Sequence, residues 1–242
     1  MIIDIHSHIL PGIDDGAKDM EETKEMLHLA VEEGISGIVA TPHYSVEIEE
    51  DVLSIYEEAY QEVLRYMETH EIPVKLYRGN EIYYTESVPE RLQDGEIYTI
   101  NNTRYVLIEF SMGVGYSFIE GAVRHLLNSG YWPILAHVER YQCLRKLKNL
   151  EELIRIGVCV QVNTNAIIGK DGWQTRRFCH QLLKRRLVHA IGTDTHGSRH
   201  RRPKMKECIH YIDKKYGRDY RVLISGDNPR RILKGEKIRG KN

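Results

Sequence analysis

Ile2-Ile3-Asp4-Ile5-His6-Ser7-His8 opens the chain with a short run of branched apolar residues that closes on two histidines. The run is too short for a buried helix and has the β-branched content of a strand. Six more runs of this kind follow: Gly37–His43, Val74–Ile82, Tyr105–Phe110, Trp132–Val138, Gly157–Asn163 and Val188–Thr193. Between them lie amphipathic stretches with helical period, at Met20–Glu33, Val52–His70, Phe118–Ser129, Leu147–Ile156 and Thr175–Arg186. Met20, Met26, Leu27, Ala30 and Val31 form one such apolar face. Gly34, Gly130 and Gly157 stand where helices would end. Strands alternating with helices predict a parallel sheet with helical crossovers. Seven such units predict a distorted seven-stranded (β/α) barrel, one unit short of the eight-stranded fold, with a doubly wound open sheet as the alternative.

The chain has 242 residues, 41% of them hydrophobic and 29% charged, with a formal net charge of −1. This is the balance of a globular protein, and residues 1–242 are expected to form a single domain. So small a net charge gives no general attraction to nucleic acid or anionic lipid. No apolar run approaches the ~20 residues of a membrane span. The N-terminus carries no secretory pattern, and the four dispersed cysteines form no CxxC pair, so a reducing cytoplasm is expected.

What ends each run points to chemistry. The seven runs lead to His6 and His8, His43, Glu81, Glu109, His137, Asn163, and Asp194 with His196. In a parallel barrel all carboxyl-terminal strand ends open on one face. Residues scattered through the chain would therefore meet at one mouth. His6-Ser7-His8 and Asp194-Thr195-His196 each have period-two spacing, which projects both side chains to one side of an extended segment. With Asp14 they make nine candidate metal ligands: His6, His8, Asp14, His43, Glu81, Glu109, His137, Asp194 and His196. One ion takes only about four to six ligands, so a polynuclear site is predicted. Mixed imidazole and carboxylate donors suit Mn, Fe or Zn. Such a cluster would attract a phosphate dianion.

The segment His6-Ser7-His8-Ile9-Leu10-Pro11-Gly12-Ile13-Asp14-Asp15-Gly16-Ala17 resembles the opening of the bacterial protein-tyrosine phosphatases of the PHP (polymerase and histidinol phosphatase) family, which belong to capsule and exopolysaccharide gene clusters. Thr41-Pro42-His43, Gly79-Asn80-Glu81-Ile82, Leu107-Ile108-Glu109-Phe110, Ala136-His137-Val138-Glu139-Arg140-Tyr141 and Asp227-Asn228-Pro229 match in order. The resemblance implies a PHP-type barrel and three divalent ions, often manganese. It implies a cysteine-independent phosphoric monoester hydrolase acting on the phosphotyrosine tail of a bacterial tyrosine autokinase. By motif, one ion takes His6, His8, Glu81 and Asp194. A second shares Glu81 and adds Glu109 and His137. The third takes Asp14, His43 and His196. Arg140 matches the family's phosphate-holding arginine. A second arginine is expected after His196, with Arg201 fitting the spacing best among Arg199, Arg201 and Arg202. Histidinol-phosphate phosphatase is the alternative within the family.

Three other signals have ordinary readings. Cys179 and Arg185 have the Cys-x5-Arg spacing of cysteine-dependent phosphatases, but the stretch lacks glycine and reads as a helix. The acidic stretch Glu47–Glu62 and the basic residues from Arg199 to Lys241 read as solvated helix faces. Tyr77, Tyr83 and Tyr84 lie near Glu81, where at least one could border the mouth.

Overall fold

The computed structural model describes residues 1–45 and 52–238. Nine strands occur among them: β1 (Ile3–Ser7), β2 (Gly37–Ala40), β3 (His43–Tyr44), β4 (Lys75–Arg78), β5 (Glu81–Tyr83), β6 (Tyr105–Glu109), β7 (Trp132–Leu135), β8 (Cys159–Asn163) and β9 (Ala190–Gly192). All strand pairs are parallel. One sheet runs β1-β2-β4, the other β3-β5-β6-β7-β8-β9. The order follows the chain, so an open doubly wound sheet, which reverses direction at a switch point, is excluded. The expected run Gly37–His43 divides into β2 and β3 at Thr41-Pro42, because a proline cannot donate to the ladder. Val74–Ile82 divides into β4 and β5 at Gly79-Asn80, where any Cβ on Gly79 would press on Ile100 at 2.8 Å. The first and last strands also meet: the His8 N–H donates to Thr195 O at 3.0 Å, and the Asp194 N–H to His6 O at 2.9 Å. The sheet is thus a curled parallel one.

The helices between strands include α1 (Met20–Glu32), α2 (Val52–Thr69), α3 (Val88–Gln93), α4 (Tyr116–Asn128), α5 (Leu147–Ile156), α6 (Thr164–Ile168) and α7 (Trp173–Lys184). After β9 come α8 (Met205–Tyr216), α9 (Arg218–Val222) and α10 (Asn228–Leu233). Asp19 caps α1 by accepting the Glu22 N–H at 2.9 Å. Gly157 ends α5 with a φ of 119°, a conformation that costs glycine little. Met26, Leu27 and Ala30 bury the predicted face of α1, whereas Val31 is exposed. The acidic stretch from Glu47 begins outside the described residues and enters α2 at Val52; the basic tail likewise runs past residue 238. No described helix is long and apolar enough to cross a membrane.

Two apolar clusters hold this arrangement. The larger packs Ile38, Val106, Ile108, Leu135, Val160 and Ile191 of the sheet against the surrounding helices. The smaller gathers Ile3, Tyr105, Cys159 and Ala190, at the strand starts, with Ile232, Leu233 and Ile238 of the C-terminal segment. Each fully buried aliphatic side chain contributes about 1.5–3 kcal/mol.

Candidate metal centre

The carboxyl-terminal strand ends bring the predicted histidines and carboxylates together. His6, His8, Glu81, His137 and Asp194 are all buried. His6 Nε2 and His8 Nε2 lie 3.2 Å apart. Glu81 Oε2 is 3.0 Å from the first and 3.1 Å from the second, and Asp194 Oδ1 is 3.5 Å from each. The other nitrogen of each ring is engaged: His6 Nδ1 faces Gln161 Oε1 at 3.3 Å, and His8 Nδ1 faces Asp14 Oδ2 at 2.7 Å. An amide oxygen and a carboxylate can only accept, so both Nδ1 atoms carry the proton, and each ring in its neutral form presents the Nε2 lone pair to the cluster. Four electron-rich atoms thus point at one spot. Glu81 Oε2 and Asp194 Oδ1 make no hydrogen bond there. Buried acceptors so arranged repel one another unless a cation lies among them, and the donor set suits a divalent ion.

Two further sets adjoin this one. His43, Glu81 and Glu109 converge, with His43 Nδ1 3.1 Å from Glu109 Oε1 and 3.3 Å from Glu81 Oε2. His137 Nε2 reaches Glu81 Oε1 at 2.6 Å and Glu109 Oε2 at 3.7 Å. His8, Asp15, His43 and His196 converge in the third. Asp15 Oδ1 stands 3.4 Å from His43 Nε2 and 3.3 Å from His196 Nε2.

This last set corrects one sequence assignment. Asp14 is not among the converging donors: its Oδ2 takes His8 Nδ1 and the His43 N–H, at 2.9 Å, and its Oδ1 takes the Gly16 N–H at 2.9 Å. Asp14 hydrogen-bonds His8 instead, and its neighbour Asp15 points at the third set. The Asp14-Asp15 doublet gave no spacing rule to choose between them. Gln161 of β8 escaped the sequence reading, and Asn163, read there as the end of the sixth run, was left out of the ligand set because neutral amides are rarely metal ligands. Tyr84 is buried and turns its hydroxyl to His125 Nδ1 at 3.0 Å; Tyr83 alone of the three tyrosines is largely exposed beside Glu81.

Charge balance follows the same pattern. Burial works against the carboxylate of Glu81, but His6 and His137 outweigh it and hold its pKa well below the usual range. Burial likewise opposes Asp194, yet His6, His8 and Arg140 keep it ionised. For Asp14 the hydrogen bond from His8 overcomes burial and brings the pKa down to about 2. Burial and the His8 ring push His196 down to about 4. Glu139 goes the other way, raised by burial to about 7. Its Oε1 accepts the Asn163 N–H at 3.1 Å.

At the rim, Arg140 Nη2 and Arg201 Nη2 both donate to Asp194 Oδ2, at 2.6 and 2.7 Å. Arg140 thus pairs with Asp194 rather than with Glu139 beside it. Of the arginines after His196, Arg201 reaches Asp194, while Arg199 lies with Lys18 and Glu22 in a separate surface pocket. A cavity of about 540 Å³, lined in part by Met112, Arg140, Arg145, Asp171 and Arg201, opens beside them. A larger one of about 980 Å³ lies at the strand starts, between Trp132, Ile154 and Lys237; it contains none of the converging ligand sets. His137 and Asp194 both adopt left-handed backbone, with φ of 33° and 51°. Such strain, about 1–3 kcal/mol for a non-glycine residue, concentrates at functional sites.

A curled α/β sheet with candidate metal-binding clusters of His, Asp and Glu at its carboxyl-terminal mouth defines a metallohydrolase-like class. Residues 2–234 match the family described as capsular polysaccharide synthesis, CpsB/CapC, and the chain belongs to it. It is 34% identical to the tyrosine-protein phosphatase CpsB of Streptococcus pneumoniae, over 98% of this chain and 100% of that one. It is 29% identical to the tyrosine-protein phosphatase YwqE of Bacillus subtilis (strain 168), over 98% of this chain and 93% of that one. A solved structure from work on those two proteins, described as unique metal-dependent tyrosine phosphatases, superposes with a TM-score of 0.91 at 30% identity, covering 99% of this chain and 97% of its own. A phosphotriesterase homology protein from Escherichia coli shares the fold at a TM-score of 0.59 and 14% identity, over 94% of this chain and 97% of that one.

Proposed function

We propose that the chain is a metal-dependent protein-tyrosine phosphatase, a single metallophosphatase domain whose nine described strands act as seven, two of them interrupted, in a PHP-type barrel. Its substrate is the phosphotyrosine tail of a bacterial tyrosine kinase that controls capsular or exopolysaccharide synthesis, in the cytoplasm. The observation that carries this reading is the pair of guanidinium groups meeting at the rim of the His/carboxylate cluster. Cations on one side and two arginines on the other make a cradle for a phosphate dianion.

Three divalent ions, manganese first among them, would be held by His6, His8, Glu81 and Asp194; by Glu81, Glu109 and His137; and by Asp15, His43 and His196. Bound there, they supply Lewis acidity and a water that ionises near neutral pH. The chain's own residues do the rest. Arg140 and Arg201 exchange Asp194 Oδ2 for the phosphate oxygens and neutralise their charge in the transition state. The neighbouring cavity accommodates the aryl ring. A phenol, with a pKa of about 10, leaves more readily than an alkoxide and needs less protonation. Cys179 takes no part: it is buried in α7, and burial pushes its thiol well above the usual range. Its sequence partner Arg185 pairs with Glu151 at 3.0 Å.

The test is phosphate release from a phosphotyrosine peptide, histidinol phosphate and single-stranded DNA, with manganese and with a strong chelator. The peptide should turn over fastest, chelation should abolish turnover, and Cys179→Ser should leave it unchanged. Chelator-resistant turnover that vanishes with Cys179 would overturn the mechanism.

A further inference from the structure

Beneath the ligands, two buried amides of β8 connect three strands. Asn163 Nδ2 donates to Asp194 Oδ2 at 2.7 Å, and Gln161 Nε2 donates to Asn163 Oδ1 at 2.9 Å. Gln161 Oε1 then accepts the His137 N–H at 2.6 Å and faces His6 Nδ1 at 3.3 Å. The direction of every step is forced. A carboxylate has no proton to give, so Asn163 must turn its NH2 toward Asp194. That leaves its oxygen for Gln161, which must therefore turn its own oxygen toward His137 and His6. His6 can answer that oxygen only with Nδ1–H, which leaves Nε2 bare.

We propose that Gln161 and Asn163 are positioning residues: a directional amide ladder that fixes the His6 tautomer and the His137 backbone from Asp194. The proposal rests on the metal-centre reading above and adds to it which groups aim the ligands. Three features of the site agree with it. The ladder is sealed, with Gln161 fully buried and Asn163 2% exposed. A Cβ on Gly192 would come within 2.7 Å of His6 Cβ and 3.0 Å of Gln161 Nε2, so the strand carries glycine where the ladder passes. The His137 N–H that Gln161 holds belongs to a residue in left-handed backbone, which needs such support. Asn163 also remains on Asp194 Oδ2 when the two arginines leave it for phosphate.

The test separates hydrogen bonding from packing. Gln161→Met preserves volume and removes both the acceptor and the donor; Gln161→Glu keeps an acceptor for both N–H groups but loses the donor to Asn163 Oδ1. Each full-length variant is loaded with manganese, checked by thermal melting, and titrated with a chelator while bound metal is measured. The wild-type chain should retain manganese. The chelator concentration that strips half the metal should fall about 10- to 100-fold in the folded methionine variant, and by less in the glutamate variant, which still aims His6 and His137 but is cut off from Asn163. Wild-type retention by Gln161→Met, or equal loss in both variants, overturns the ladder. Should Gln161→Met not fold, a folded Asn163→Ala chain decides: reduced retention supports the ladder and wild-type retention overturns it. A wild-type chain that keeps no manganese sinks the metal-centre reading itself, and the ladder's role with it.

Discussion

Where the strands begin, Ile3, Tyr105, Cys159 and Ala190 pack against Ile232, Leu233 and Ile238, and the titratable His189 is held neutral. Where they end, His6, His8, Glu81, His137 and Asp194 are equally buried, but several of their polar atoms have no hydrogen-bond partner. Burial is the same at both ends and its consequence is opposite. Apolar groups gain free energy from it, whereas charged groups lose it unless they are paired or bind a cation. The sheet starts therefore carry stability, and the sheet ends hold groups arranged for a ligand. A substitution at one end should be read mainly in melting, and at the other mainly in metal content and turnover.

Glu81→Ala is the severest way to break the mouth. Glu81 Oε2 faces both His6 and His8, and Oε1 faces His137, so one truncation empties two ligand sets. Bound metal should fall and phosphatase activity should drop about a thousandfold or more, with the fold retained. Full metal occupancy with normal turnover would remove Glu81 from its bridging place. Arg140→Ala should act more narrowly. It donates to Asp194 Oδ2 but is no metal ligand, so metal content should stay at the wild-type level. Its kcat/KM on a phosphotyrosine peptide should fall by about 2–4 kcal/mol equivalents, in kcat as well as in binding. Intact kinetics would pass the phosphate contact to Arg201 alone.

The contrast between the two ends was partly visible in the sequence. Strand runs of Ile, Val and Leu that close on His, Glu or Asp report both the apolar start and the polar end of each unit. That pattern located β1, β6, β7, β8 and β9, and all nine predicted ligands lie at or beside the mouth. It did not show the breaks at Thr41-Pro42 and Gly79-Asn80, because Pro42 and Gly79 were read as parts of continuous runs rather than as interruptions of them. It also chose Asp14 over Asp15. Adjacent aspartates have the same chemistry, and only the loop's path, with Asp14 turned under His8, decides which of them faces the other converging donors. The role proposed for Gln161 and Asn163 was illegible for a different reason. It lies in the direction of hydrogen bonds between residues 24 to 155 positions apart, which no local pattern encodes.

The mildest perturbation sharpens the other end. His189 is 7% exposed and precedes β9; its Nδ1 accepts the Val160 N–H at 3.1 Å. Protonating that nitrogen would set it against a donor in an apolar surround. Burial accordingly lowers its pKa to about 4, from 6.5 for an ordinary histidine. The sign follows: between these values the unfolded chain binds the proton and the folded chain does not, so stability is full above pH ~6.5 and falls as pH drops toward 4. The whole interval is worth at most about 3 kcal/mol. His189→Asn retains an oxygen acceptor near the Nδ1 position and does not titrate. Urea unfolding of both chains from pH 7.5 to 4, with chelator present throughout, removes metal release as a variable. The asparagine chain should start lower at pH 7.5 because it loses packing volume, then decline less steeply, so the two curves converge or cross. Its metal content and kcat/KM at neutral pH should match the wild type. Curves that stay parallel would show that His189 carries no titratable burden on the fold.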